Sequence, residues 1–311
     1  MNSLQKPFVP WAQIAQLVAL GTPVFLLSVL LELPHAVGVI AFAAGLLATV
    51  FSNRKWGLIS VALTAVAYPV AAFAGTTGVF FVGALLAIGS MLALRQAGAR
   101  ALGYAAFGWS YLVFSETTHP DASTMTYYVI GALWGVTSAR LVGIEALMAP
   151  KGPDLGLPPF AVRCAIVIGF LASLVLAMFL PIERSYWVPF VFLSVLIANG
   201  TNGLSMSLSR MIGVVLGVAG VLLLSWFEPP RWFEFGLAMI GFVLAMRIIL
   251  AFPILSRACM TAAIVLMLIS VEPDAAASRL LAEVVSVLVL MLLAGSVSFF
   301  ASKEEAPGDQ T

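Results

Sequence analysis

Glu283 stands in the run Leu280-Leu281-Ala282-Glu283-Val284-Val285, an acid inside an otherwise apolar stretch. An ionisable group near mid-bilayer costs roughly 2.5–3.5 kcal/mol, so it faces the protein interior or water. A carboxylate whose charged form is disfavoured by desolvation is suited to carrying a proton. His35, close to Glu32, is the second candidate for that role. Arg163, and Arg140 with Glu145, also lie near apolar segments. For any one of these groups, a side chain snorkelling to the interface is the plainer explanation.

A different chemistry is suggested by Asn199-Gly200-Thr201-Asn202-Gly203, followed by Ser205, Ser207, Ser209 and Arg210. A polar, glycine-containing stretch leading into a helix offers backbone N–H groups, and a nearby guanidinium suits an organic carboxylate. Arg210, Asn199 and Asn202 are therefore the anion-binding candidates. An arginine at a cytoplasmic helix end is also what topology alone requires. Upstream lies Glu183-Arg184-Ser185-Tyr186-Trp187-Val188-Pro189. Tyr186 and Trp187 are first of all interface anchors, and then aromatic surface on a transport route. Pro189 removes a backbone donor and invites a kink.

The elements that must position these groups are apolar helices. The chain of 311 residues is 62% hydrophobic and 9% charged, whereas soluble domains carry about 25% charged residues. Its solvent is a lipid bilayer. Segments at 12–31, 35–52, 56–74, 77–94, 101–115 and 124–144 precede six more at 160–181, 186–200, 210–227, 232–250, 256–271 and 279–300. A span needs roughly 20 residues, so 101–115 and 186–200 are short. The first segment is expected to be a retained helix, not a secretory signal. With the N-terminus in the cytoplasm, 12 of the 15 Lys and Arg fall on the inner side. Arg184, Arg231 and Arg279 fall on the outer side. That asymmetry predicts cytoplasmic termini.

The two sets of six share landmarks. Arg54-Lys55-Trp56-Gly57 recurs as Arg210-Met211-Ile212-Gly213 at an offset of 156, and Ala99-Arg100-Ala101 as Ser256-Arg257-Ala258 at 157. An even number of helices per half predicts a parallel repeat about an axis along the membrane normal. The expected architecture is all-α and polytopic, with about twelve transmembrane helices in two parallel six-helix repeats. Residues 1–145 form the first repeat, 146–159 a cytoplasmic Pro/Gly-rich linker, 160–300 the second repeat, and 301–311 a disordered cytoplasmic tail. Gly131-x-x-x-Gly135 and Gly213-x-x-x-Gly217 are expected to serve close helix packing.

Tyr186-Trp187-Val188-Pro189, with Ser209-Arg210-Met211-Ile212-Gly213-Val214-Val215-Leu216-Gly217 downstream, resembles the fusaric acid resistance-like and aromatic acid exporter superfamily. The first half diverges, with Ala36-Val37-Gly38-Val39 where Tyr-Trp-Val-Pro would stand. The resemblance implies export of small aromatic carboxylates, or related toxic organic compounds, across a bacterial inner membrane. Plant malate channels are more distant relatives, which keeps a passive anion channel open.

Several classes fall away. Only two histidines occur, without a His-Glu-x-x-His pattern, and there is no P-loop. No serine sits in a nucleophile elbow. Cys164 and Cys259 give neither a disulfide framework nor metal spacing. The chain is not expected to be an enzyme, to hold a cofactor or metal, or to bind nucleic acid. Its expected partners are an organic anion, the bilayer, and a second copy or a periplasmic adaptor. A proton-driven exporter leads, against a passive anion channel and a non-transporting membrane scaffold.

Overall fold

The structure is a computed structural model that describes residues 8–30, 37–50, 52–92, 98–114, 122–143, 160–180, 185, 187–189, 191–192, 203–269 and 275–304. The described residues form helices and turns, with no strand among them. Ten helices follow one another: α1 (Trp11–Leu30), α2 (Val37–Val50), α3 (Arg54–Leu92), α4 (Gly98–Phe114), α5 (Ala122–Val142), α6 (Phe160–Phe179), α7 (Gly203–Ser225), α8 (Arg231–Ile248), α9 (Pro253–Ile269) and α10 (Ala275–Glu304). Trp187–Pro189, with Val191 and Phe192, are also helical.

Helix α3 spans two of the apolar segments read from the sequence. Pro69 lies inside it, and Gly75 breaks it with φ 58° and ψ −145°. That conformation is open to glycine and strained for other residues. The break falls between the segments at 56–74 and 77–94, so α3 is two helical arms. Counting both arms and the short stretch at 187–192 gives twelve helices in the expected order. Two of them hold an 18-residue window apolar enough to cross a membrane, Leu208–Ser225 and Ala276–Leu293.

Large apolar side chains point outward along these helices. Phe73 is 86% exposed, and Val66, Phe179, Leu223 and Leu292 are also exposed. Outward apolar faces of this extent suit a lipid environment and not water. The inward faces close on small residues. A Cβ on Gly135 of α5 would lie 2.2 Å from the Phe42 carbonyl oxygen of α2, and one on Gly217 of α7 would lie 2.5 Å from the Ala258 carbonyl oxygen of α9. Only a bare Cα lets those backbones approach so closely. Helix packing is the role expected for both Gly-x-x-x-Gly pairs.

Each half has its own close helix pairs. In the first, α2 packs on α5 and α3 on α4; in the second, α7 packs on α9. Ser286 of α10 donates to the Val188 carbonyl at 3.0 Å, which joins α10 to the 187–192 stretch. The halves meet where α3 packs on α6, and again where the Arg247 guanidinium, at the end of α8, lies over the rings of Phe8 and Trp11. Arg247 also donates to the Val9 carbonyl, and the Val9 N–H donates back to the Arg247 carbonyl at 3.3 Å.

Gly135→Ala therefore forces α2 and α5 apart and costs about 1–3 kcal/mol, as overpacking does. Gly220→Ala, at a position with nothing within 4 Å, is expected to cause no loss. Thermal unfolding of the two variants in detergent checks the contrast.

Candidate functional site

Helix α10 starts at Ala275, four residues before the apolar run that marked its expected beginning. Ala275-Ala276-Ala277 accounts for this, since alanine favours helix more than any other residue. Arg279 and Glu283 are thus one turn apart on one face, and Glu283 is two turns inside the helix. Glu283 has no solvent exposure, and Arg279 is also buried.

Helix α7 likewise starts early, at Gly203. Arg210 is therefore about 10 Å along the helix from its first residue and not at the helix start where the sequence placed it. Leu204, Met206 and Leu208 keep the stretch apolar enough to continue as helix.

These two shifts bring together groups that the charge count had placed on opposite membrane faces. Arg210 Nε donates to Glu283 Oε1 at 2.8 Å. Arg279 Nη2 lies 3.6 Å from Glu283 Oε2, and that oxygen accepts no hydrogen bond. Arg257 of α9 lies within electrostatic reach of both Arg210 and Glu283. Trp187 completes the group, with the Arg279 guanidinium carbon 5.2 Å from its ring centre. Among the described residues, three guanidiniums thus surround one carboxylate. Arg210 and Arg279 both lie inside their helices and not at the helix starts where the sequence placed them.

Trp187 is 5% exposed. It is a core residue and not the headgroup anchor its type suggests, because a cation–π contact and the core around Val188 hold it inward. Tyr186, Asn199, Asn202 and His35 lie outside the described residues. Of the expected site residues, Arg210, Glu283 and Trp187 come together. Arg257, Arg279 and Ser286 were not singled out by the sequence reading. The Arg279–Glu283 spacing of four was the available signal for one of them; Arg257 carried none beyond its place in the repeat.

The first half lacks this cluster among its described residues. Arg54 is exposed, and 156 positions before Glu283 comes Tyr127, followed by buried Tyr128, whose hydroxyl bonds to Thr64. A groove of about 490 Å³ lies between α1 and α5, lined by Pro23, Leu27, Ile130 and Trp134 among others, with no charged side chain. Among the described residues, no cluster of His, Cys, Asp and Glu could hold a metal ion.

Residues 164–293 match the family model described as fusaric acid resistance protein-like. The second half of this chain is similar to that family over those residues. The matched range contains Trp187, Arg210, Arg257, Arg279, Glu283 and Ser286, so the whole charged cluster lies within the residues that resemble that family. That family is one of membrane transport and resistance proteins and not of enzymes. No curated protein and no solved structure matches the chain.

Breaking one side of a buried ion pair strands the other charge. Arg210→Ala is expected to lower stability by about 3 kcal/mol. Adding Glu283→Ala to it recovers part of the loss, with a coupling energy of about 1–3 kcal/mol. Denaturant titration of the two single variants and the double variant measures this; strictly additive losses would contradict the pair.

Proposed function

We propose that the chain is a secondary transporter that exports small organic anions, aromatic acids first among them, across the bacterial inner membrane in exchange for protons. The observation that carries this reading is the buried Arg210–Glu283 pair. A guanidinium already holding a carboxylate in a charge-assisted bond has the chemistry to hold another. A substrate carboxylate arriving from the cytoplasmic side replaces Glu283 on Arg210. A proton arriving from the other side neutralises Glu283 and also releases Arg210.

Either event opens the same link between α7 and α10. A lock that two ligands open separately is what exchange of an outgoing anion for an incoming proton requires. Asn199 and Asn202 lead the anion toward Arg210, and Tyr186 and Trp187 supply aromatic surface for its ring. Glu283 carries the proton, with His35 as the second candidate carrier. An inside-negative potential adds about 2.3 kcal/mol per charge per 100 mV to outward movement of an anion. Both termini are cytoplasmic in this reading.

The surplus of positive charge, three guanidiniums for one carboxylate, also favours a second reading. An excess of fixed cations attracts anions without any proton step, as in an anion channel. Flux of labelled para-hydroxybenzoate in liposomes separates the two. An exporter accumulates it against its gradient only when a pH gradient is imposed, and Arg210→Ala lowers the rate at least about tenfold. In Glu283→Gln only downhill flux that ignores pH should remain. Wild-type flux that is downhill only and indifferent to pH would establish the channel instead.

A further inference from the structure

An anion that takes Arg210 leaves Glu283 without its strongest partner. An isolated buried carboxylate is costly enough that it ordinarily takes up a proton. Anion binding would then bring a proton with it, and the two would cross together in the same direction. Exchange needs the opposite behaviour: Glu283 must remain charged while the anion is bound.

We propose that Arg279 is the standby cation that makes this possible. It is a positioning residue that receives the Glu283 carboxylate when substrate displaces it from Arg210. The inference rests on the reading of Arg210 as the anion site. Four observations carry it. Glu283 Oε2 already faces Arg279 Nη2 at 3.6 Å, a small movement short of a hydrogen bond, and accepts none at present. Arg279 is on the same helix, one turn away, so the transfer needs side-chain rotation only. The Trp187 ring holds the guanidinium in place, and the side chain is 7% exposed, so it does not swing out to water. The nearby Ser286 hydroxyl is directed at the Val188 and Ala282 carbonyls, so it does not serve the carboxylate instead.

The charged groups near Glu283 among the described residues are Arg210 on α7, Arg257 on α9 and Arg279 on α10. With Arg210 occupied by substrate, Arg257 and Arg279 still outnumber the one glutamate. The displaced carboxylate stays ionised, and the anion and the proton become alternative ligands of the site.

Proton uptake on binding tests this. The full chain in detergent, weakly buffered near neutral pH with an indicator dye, is titrated with para-hydroxybenzoate while calorimetry counts the anion bound. The wild type should take up close to no protons, and Arg279→Gln about one proton per anion, because its displaced Glu283 can no longer stay charged. Arg279→Lys should restore the wild-type count, since it returns the cation. Trp187→Leu, which loosens Arg279 without removing a charge, should give an intermediate count and keeps the test available if Arg279→Gln does not fold. Glu283→Gln with Arg279→Gln should take up none.

Equal proton counts for the wild type, Arg279→Gln and Trp187→Leu would overturn the role of Arg279 and leave the anion site standing. A wild type that itself takes up one proton per anion would overturn it too. Failure of the wild type to bind para-hydroxybenzoate at all would overturn the anion site, and Arg279's role with it.

Discussion

One buried carboxylate among three guanidiniums is the constraint on which the second half of this protein is built. Charges taken out of water are tolerated only when they are paired and hydrogen-bonded. Glu283, with no solvent exposure, needs a cation from another helix, and Arg210 supplies it at 2.8 Å. The bond ties α7 to α10 at a point where each helix is also packed elsewhere, α7 on α9 and α10 on the 187–192 stretch. The charge cluster is thus joined to the helix packing: opening it releases one of the links holding α7 and α10 together.

The surrounding packing is arranged so that long arginine side chains can meet there. Gly213 and Gly217 bring α7 against the Ile254–Thr261 turns of α9, which sets Arg257 beside Arg210. The Trp187 ring takes up the far guanidinium. Among the described residues of the first half, Tyr128, Thr64 and Trp109 are buried. An apolar and hydroxyl-lined interior needs no counter-ion.

Much of this was legible in the sequence. Helix order followed from runs of apolar residues, since a bilayer demands internally bonded segments. Gly-x-x-x-Gly spacing marked the close helix contacts, and Glu283 was conspicuous because an acid among leucines and valines must find a partner. The partner itself was not legible. Hydropathy places helix ends where polarity rises, yet Ala275–Ser278 is small or polar, Gly203–Ser209 interleaves serines with Leu204, Met206 and Leu208, and both are helical. Those extensions carry Arg279 and Arg210 into the interior. A count of positive charges by loop therefore assigned them to opposite faces, although both reach the same carboxylate. Trp187 was misread for a related reason: residue type favours the headgroup level, and the guanidinium that holds its ring lies 92 positions away in sequence.

The most direct measurement is a crystal structure of the full chain with bound bromobenzoate, whose bromine fixes the ligand by its anomalous signal. The account predicts the ligand carboxylate on Arg210, its ring beside Trp187, and Glu283 turned to Arg279. A ligand bound elsewhere, with the Arg210–Glu283 bond intact, would contradict it.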